Sequence, residues 1–111
     1  MKLWIDDVRP APEGYIHFKA VNEALRYIRL NYKQIDLIDL DHDAGDFVTE
    51  GRDFIEILKE LERLSHLHNP EGASWGAFLR QRIAFRLHSA NPVGVQNMRA
   101  IIKANGWKEI K

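Results

Sequence analysis

Three stretches of the chain gather residues that can do chemistry: Asp6-Asp7, Asp39-Leu40-Asp41-His42-Asp43 and His88-Ser89-Ala90-Asn91. Carboxylates packed this closely repel one another unless a cation or a proton intervenes. Both acidic stretches follow short apolar runs, Leu3-Trp4-Ile5 and Leu37-Ile38, which read as strands emptying into acids. Two such strands lying parallel and adjacent bring both acidic tips to one rim, where open α/β sheets hold their ligands. Oxygen donors of this kind suit a hard divalent cation, Mg²⁺ first and Mn²⁺ as the alternative.

The elements that must position these tips follow from periodicity and punctuation. Lys2 to Ile5 is a strand, and the prolines and glycine of Asp6 to Gly14 leave no room for a helix. Tyr15 to Ala20 alternates as a half-buried strand. Asn22 is placed to cap a helix that carries Ala24, Leu25 and Ile28 on one face and ends near Tyr32. Ile35 to Leu40 is the central strand. Phe54, Ile57, Leu58, Leu61 and Leu64 keep helical spacing, which predicts a helix over Arg52 to Ser65. His66 to Trp75, with Asn69-Pro70 and Glu71-Gly72, reads as a loop, and Gly76 to Arg82 is ambiguous, a short helical turn being one reading. Ile83 to Leu87 alternates as a strand. Asn91-Pro92 opens a helix with Val95, Met98, Ile101 and Ile102 on one face, and Asn105-Gly106 stops it before a last strand, Trp107 to Ile110.

With 111 residues, the chain reads as one domain, residues 1–111. Sixteen basic residues balance sixteen acidic ones, so no overall field draws it to nucleic acid or membrane. The absence of cysteine excludes thiolate metal sites and a cysteine nucleophile. Without a signal-peptide core or a membrane-length apolar run, a cytoplasmic location and no membrane partner are expected.

The order β-β-α-β-α-β-α-β, with acids after the first and third strands and Ser89 after the fourth, resembles the receiver domain of response regulators. More closely, Leu-Trp-Ile-Asp-Asp-Val-Arg-Pro-Ala-Pro, Leu-Asp-His-Asp-Ala-Gly and His-Ser-Ala-Asn-Pro-Val-Gly are similar to the divergent cyclic-phosphate processing receiver family. The resemblance implies an α/β receiver-like (flavodoxin-like) fold, reduced to a five-stranded, mostly parallel sheet of order 2-1-3-4-5. Right-handed crossovers would then put three helices mainly on one face. The other face would be closed by Arg9 to Gly14, by Asn69 to Arg82, or by a second protomer through Trp4. An antiparallel second strand stays open as an alternative.

Carried over by position, Asp6 and Asp7 match the receiver's metal-holding pair, Asp41 its phosphoacceptor and Ser89 its small hydroxyl residue. His42, Asp43, His88 and Asn91 fall on the divergent family's additional motif positions, and Lys111 stands near the place of the receiver lysine. The metal set so implied is Asp6, Asp7, Asp41 and Asp43. The implied activity is metal-dependent opening of a cyclic phosphate on a small molecule or an RNA end, a 2′,3′-cyclic phosphate being the natural candidate. Asp41, His42 and His88 would be catalytic, the two imidazoles as general base and general acid because they titrate nearest neutral pH. Arg9, Ser89 and Asn91 would hold phosphate oxygens. The alternatives are a signalling receiver phosphorylated on Asp41 and a non-catalytic metal- or phosphate-binding domain, and a homodimer through the less covered face is a possible assembly.

Plainer roles stand beside these. Asn91 is a helix cap in either case. Asp39 is expected at a helix cap or the sheet edge, Asp46 and Glu50 as solvated loop acids, and His17, His66 and His68 at the surface.

Overall fold

The computed structural model describes residues 1–43 and 53–111. Its strands are β1 (Lys2–Ile5), β2 (Tyr15–Phe18), β3 (Leu37–Leu40), β4 (Ala84–Leu87) and β5 (Lys108–Glu109). Its helices are α1 (Val21–Asn31), α2 (Ile55–Ser65), α3 (Pro70–Gln81) and α4 (Pro92–Ala104), with a 3₁₀ turn at Tyr32–Gln34. The sheet order is β2-β1-β3-β4-β5 and every pairing is parallel, β2 included. The nine-residue connection from β1 to β2 can span about 30 Å when extended, ample for the return that a parallel pairing needs.

A fourth helix corrects the expected three. α3 runs through the stretch read as a loop and a turn, and the reason is its cap. The Asn69 side chain accepts the Gly72 N–H at 2.8 Å, with Pro70 in the first turn, the same device that Asn91-Pro92 uses at the start of α4. Trp75 and Leu79 of α3 are buried in the helix-side core, and Trp75 stacks on Tyr32. The Asn69–Arg82 segment therefore thickens the covered layer instead of closing the opposite face. α1 begins one residue before Asn22, because Val21 is buried and takes the first helical position behind Ala20. α2 begins at Ile55; Arg52 and the acids Asp46 and Glu50 lie outside the described residues. Gly106, at φ 69°, makes the left-handed turn that ends α4.

The core forms where one strand face meets the helices. Leu3, Ile5, Ile38, Leu40 and Phe85 pack with Ile28, Leu61, Met98 and Ile102 in a single buried cluster. On the opposite face, the strand register sets His17, Trp4, Asp39 and Arg86 side by side across β2, β1, β3 and β4. Among the described residues no helix covers this face. It is roofed from the loop after β1, where the Trp4 indole N–H donates to the Arg9 carbonyl at 3.0 Å.

Candidate active site

The backbone ladder carries each functional residue to the same rim. One step beyond the strand ends, the N–H of Asp6 donates to Phe18, that of Asp41 to Ile5 and that of His88 to Leu40. Asp6, Asp7 and Asp41 consequently meet, with ligand atoms all within 4.8 Å of one another.

Asp6 is fully buried and held from two sides. Its Oδ1 accepts the backbone N–H groups of Val8 at 2.8 Å and Arg9 at 3.0 Å, and its Oδ2 pairs with His88 Nε2 at 2.9 Å. Burial pushes its pKa up, but these bonds outweigh it and hold the carboxyl below its usual range. Asp41 Oδ1 accepts the His42 N–H at 2.8 Å, which turns the chain sharply after β3.

Three carboxylates converging on one point are electrostatically costly without a cation, and an all-oxygen set is what a hard divalent ion takes. Oδ1 of Asp6 has both lone pairs committed, whereas Oδ2 accepts one bond and keeps one lone pair. Asp6, Asp7 and Asp41 therefore form a donor set that fits such an ion.

Asp43 does not join them. It lies with His42 and Asp53 in a second group of potential ligands, again within 4.8 Å. His42 Nδ1 bonds Asp43 Oδ1 at 2.7 Å, and the Asn91 amide N–H donates to the same oxygen at 3.2 Å. The bond to His42 holds the Asp43 pKa down; burial opposes it, and Asn91 adds to the lowering. The His42 ring rests against α4 at Gly94, where any Cβ would collide with it. The Phe54 N–H donates to the His42 carbonyl at 3.0 Å, fastening this turn to the start of α2.

The remaining expected residues are also placed. Asn91 caps α4 through Gly94 N at 2.9 Å, so its carbonyl is committed to the helix and its amide to Asp43. The Ser89 oxygen accepts the Asn91 N–H at 3.1 Å and retains its own proton as a donor. Arg9 is exposed and reaches from the β1 loop to donate to the His88 carbonyl at 2.5 Å. Lys111 is exposed, and its charge acts on Glu109 of β5.

His42 and His88 belong to separate networks. Both His88 nitrogens are taken by carboxylates, Nδ1 by Asp39 at 2.6 Å and Nε2 by Asp6 at 2.9 Å. Burial lowers its pKa, but the bonds and charges of Asp39 and Asp6 prevail and the net shift is upward. Asp39 is the residue that sequence reasoning misplaced: it is neither at a cap nor at an edge, but fully buried in the central strand. Its position two residues before Asp41, on the same face of the strand, is the one signal the sequence carries. Asp53 carried no signal beyond preceding an apolar helix.

Two surface hollows lie elsewhere, one between α1 and α2 lined by Leu25, Arg29 and Glu60, another lined by Asp36, Phe78 and Arg82. Neither offers a comparable convergence of chemistry. No helix among the described residues is long and apolar enough to cross a membrane. Residues 1–104 match the family model of the cyclic-phosphate processing receiver domain, and the chain belongs to that family. No curated protein and no solved structure matched it.

Proposed function

We propose that this member of the cyclic-phosphate processing receiver family is a metal-dependent phosphoesterase that opens a cyclic phosphate, a 2′,3′-cyclic phosphate on a nucleotide or an RNA end. The observation that carries this reading is the meeting of Asp6, Asp7 and Asp41 within 4.8 Å; the residue directly after Asp41 in the chain, His42, has its imidazole oriented by Asp43.

In hydrolysis, the oxygen of a water bonds to phosphorus, one ring P–O bond breaks, and the water's proton ends on the released alkoxide oxygen. His42 is the group suited to move that proton. Asp43 and Asn91 fix the Nδ1 side of its ring, leaving Nε2 to accept from water and return the proton to the leaving oxygen. Ser89 donates its hydroxyl, and Arg9 its remaining N–H groups, to the non-bridging oxygens. A divalent ion held by Asp6, Asp7 and Asp41 supplies charge neutralisation and polarisation of the P–O bond when bound.

The test is turnover of 2′,3′-cyclic nucleotides with Mg²⁺ or Mn²⁺. Asp41→Asn is expected to lower it on the order of 100-fold or more, the equivalent of about 3 kcal/mol or more of lost charge stabilisation. Gly94→Ala, whose Cβ displaces the His42 ring while leaving the carboxylates alone, is expected to lower turnover by up to about 100-fold with metal binding retained. Absence of turnover with every divalent ion, or indifference to Asp41→Asn, overturns the catalytic reading. A stable acyl phosphate on Asp41 after treatment with acetyl phosphate would favour the signalling receiver instead.

A further inference from the structure

We infer that Asp39 positions the metal ligand Asp6 through the imidazole of His88. The inference rests on the reading that Asp6 contributes to a cation site, and it gives a purpose to a buried acid that the proposed chemistry does not use.

Asp39 and Asp6 are both 0% exposed, and burying a carboxylate is costly unless its partners repay the lost water. At the position of Asp39, an aliphatic residue like Leu37, its neighbour on the same face, would pack without that cost. The partners Asp39 does have point one way. His88 spans from Asp39 Oδ1, at 2.6 Å, to Asp6 Oδ2, at 2.9 Å, a rigid aromatic strut with a carboxylate at each end.

The strut is prevented from turning. The Trp4 ring lies on the imidazole with centroids 3.9 Å apart and planes 6° from parallel. The backbone on either side of the ring is tied to Leu40 through the His88 N–H and to Arg9 through the His88 carbonyl. Arg86 stands 3.9 Å from the other oxygen of Asp39. With Oδ1 of Asp6 fixed by two backbone N–H groups, the strut sets the remaining rotation of that carboxylate, and so the direction in which its last lone pair points. Partners that orient metal ligands in this way are typically worth 10–100-fold in metal affinity. His88 and Asp39 are thereby positioning residues.

The test is Mn²⁺ binding by the full chain, read from the EPR signal of the free ion, with melting temperature followed in parallel. Wild type is expected to bind, and Asp41→Asn, which removes the charge of a ligand, to bind far more weakly. Asp39→Asn is expected to weaken binding about 10-fold. The two conservative variants of the strut separate positioning from general structure. His88→Gln carries an amide nitrogen to the place of Nε2 and still reaches Asp6, whereas His88→Asn reaches only Asp39. Binding should therefore be tighter in His88→Gln than in His88→Asn, whichever melts higher. If Asp39→Asn does not fold, this ranking decides alone. Equal affinity in wild type, Asp39→Asn and His88→Asn overturns the inference while leaving the metal site standing. No binding by wild type overturns the metal reading and the inference with it.

Discussion

The helix-facing side of the sheet presents Leu3, Ile5, Ile38, Leu40 and Phe85, all without solvent exposure, while the other side carries His17, Trp4, Asp39 and Arg86. The first side is held by apolar area, which is non-directional and tolerant of shape-conserving change. The second is held by bonds with particular partners: Trp4 to the Arg9 carbonyl, His88 to two carboxylates, and His17 Nε2 to the Asp6 carbonyl at 2.6 Å. Parallel sheets normally bury both faces under helices. Here one face is given over to a polar scaffold that leads to the acidic rim, so damage to the two faces should have different signatures.

The largest expected effect is on the covered face. Phe85→Ala empties the centre of the core and should cost about 3–5 kcal/mol in urea unfolding. Trp4→Ala removes a larger ring, yet from a half-buried position. Its expected cost is smaller, about 1–2 kcal/mol from lost stacking and partial burial, with Mn²⁺ affinity falling because the strut beneath it is freed. Equal costs for the two substitutions, or unchanged Mn²⁺ affinity in Trp4→Ala, would erase the distinction between the faces.

The smallest effect concerns the ion pair at the edge of the covered side. Arg99 bonds both oxygens of Glu109, at 2.8 Å from Nε to Oε1 and 2.7 Å from Nη2 to Oε2. That bonding holds the Glu109 carboxyl below its usual range against the opposing effect of burial. A depressed carboxyl stabilises the fold above the ordinary carboxylate range, and this contribution is lost as pH falls through the folded-state value. Glu109→Gln should therefore lower the melting temperature slightly at pH 7 and make no difference near pH 2. A deficit that persists in acid would mean that packing, not charge, makes the contact.

Most of the elements were legible because apolar spacing and turn punctuation are local signals, whereas the order 2-1-3-4-5 is what the family resemblance implied and the parallel β2 settles the alternative left open. The acid tips of β1 and β3 met as their strand-end positions implied. The misjudged segments are those where two principles compete. Asn69-Pro70 and Asn91-Pro92 are the same cap, but the first is followed by Glu71-Gly72, whose glycine reads as a breaker. In fact Gly72 is buried and in the helix because its missing Cβ lets the helix sit against the Leu67 backbone. Asp39 was misjudged because a carboxylate within an apolar strand looks like an error until its partner, His88, is brought from 49 residues away. Asp43 stands on a motif position of the family close to Asp41, but the turn after Asp41 carries its carboxylate to His42 and Asn91 at the start of α4, apart from Asp6, Asp7 and Asp41.

The connection between β1 and β2 divides into two parts with different obligations. Its first residues are pinned by Asp6 to Val8 and Arg9, by Trp4 to Arg9, and by Arg9 to the far side of β3 at His88. This arch straddles the end of the central strand, so the approach to Asp41 is framed by protein from β1 and β4 at once. The stretch from Pro10 to Gly14 closes on itself through the Tyr15 N–H and the Pro12 carbonyl at 3.3 Å. It is a spacer, whose duty is to deliver the chain to β2, while the Arg9 guanidinium is the tie that joins the arch to the end of β4.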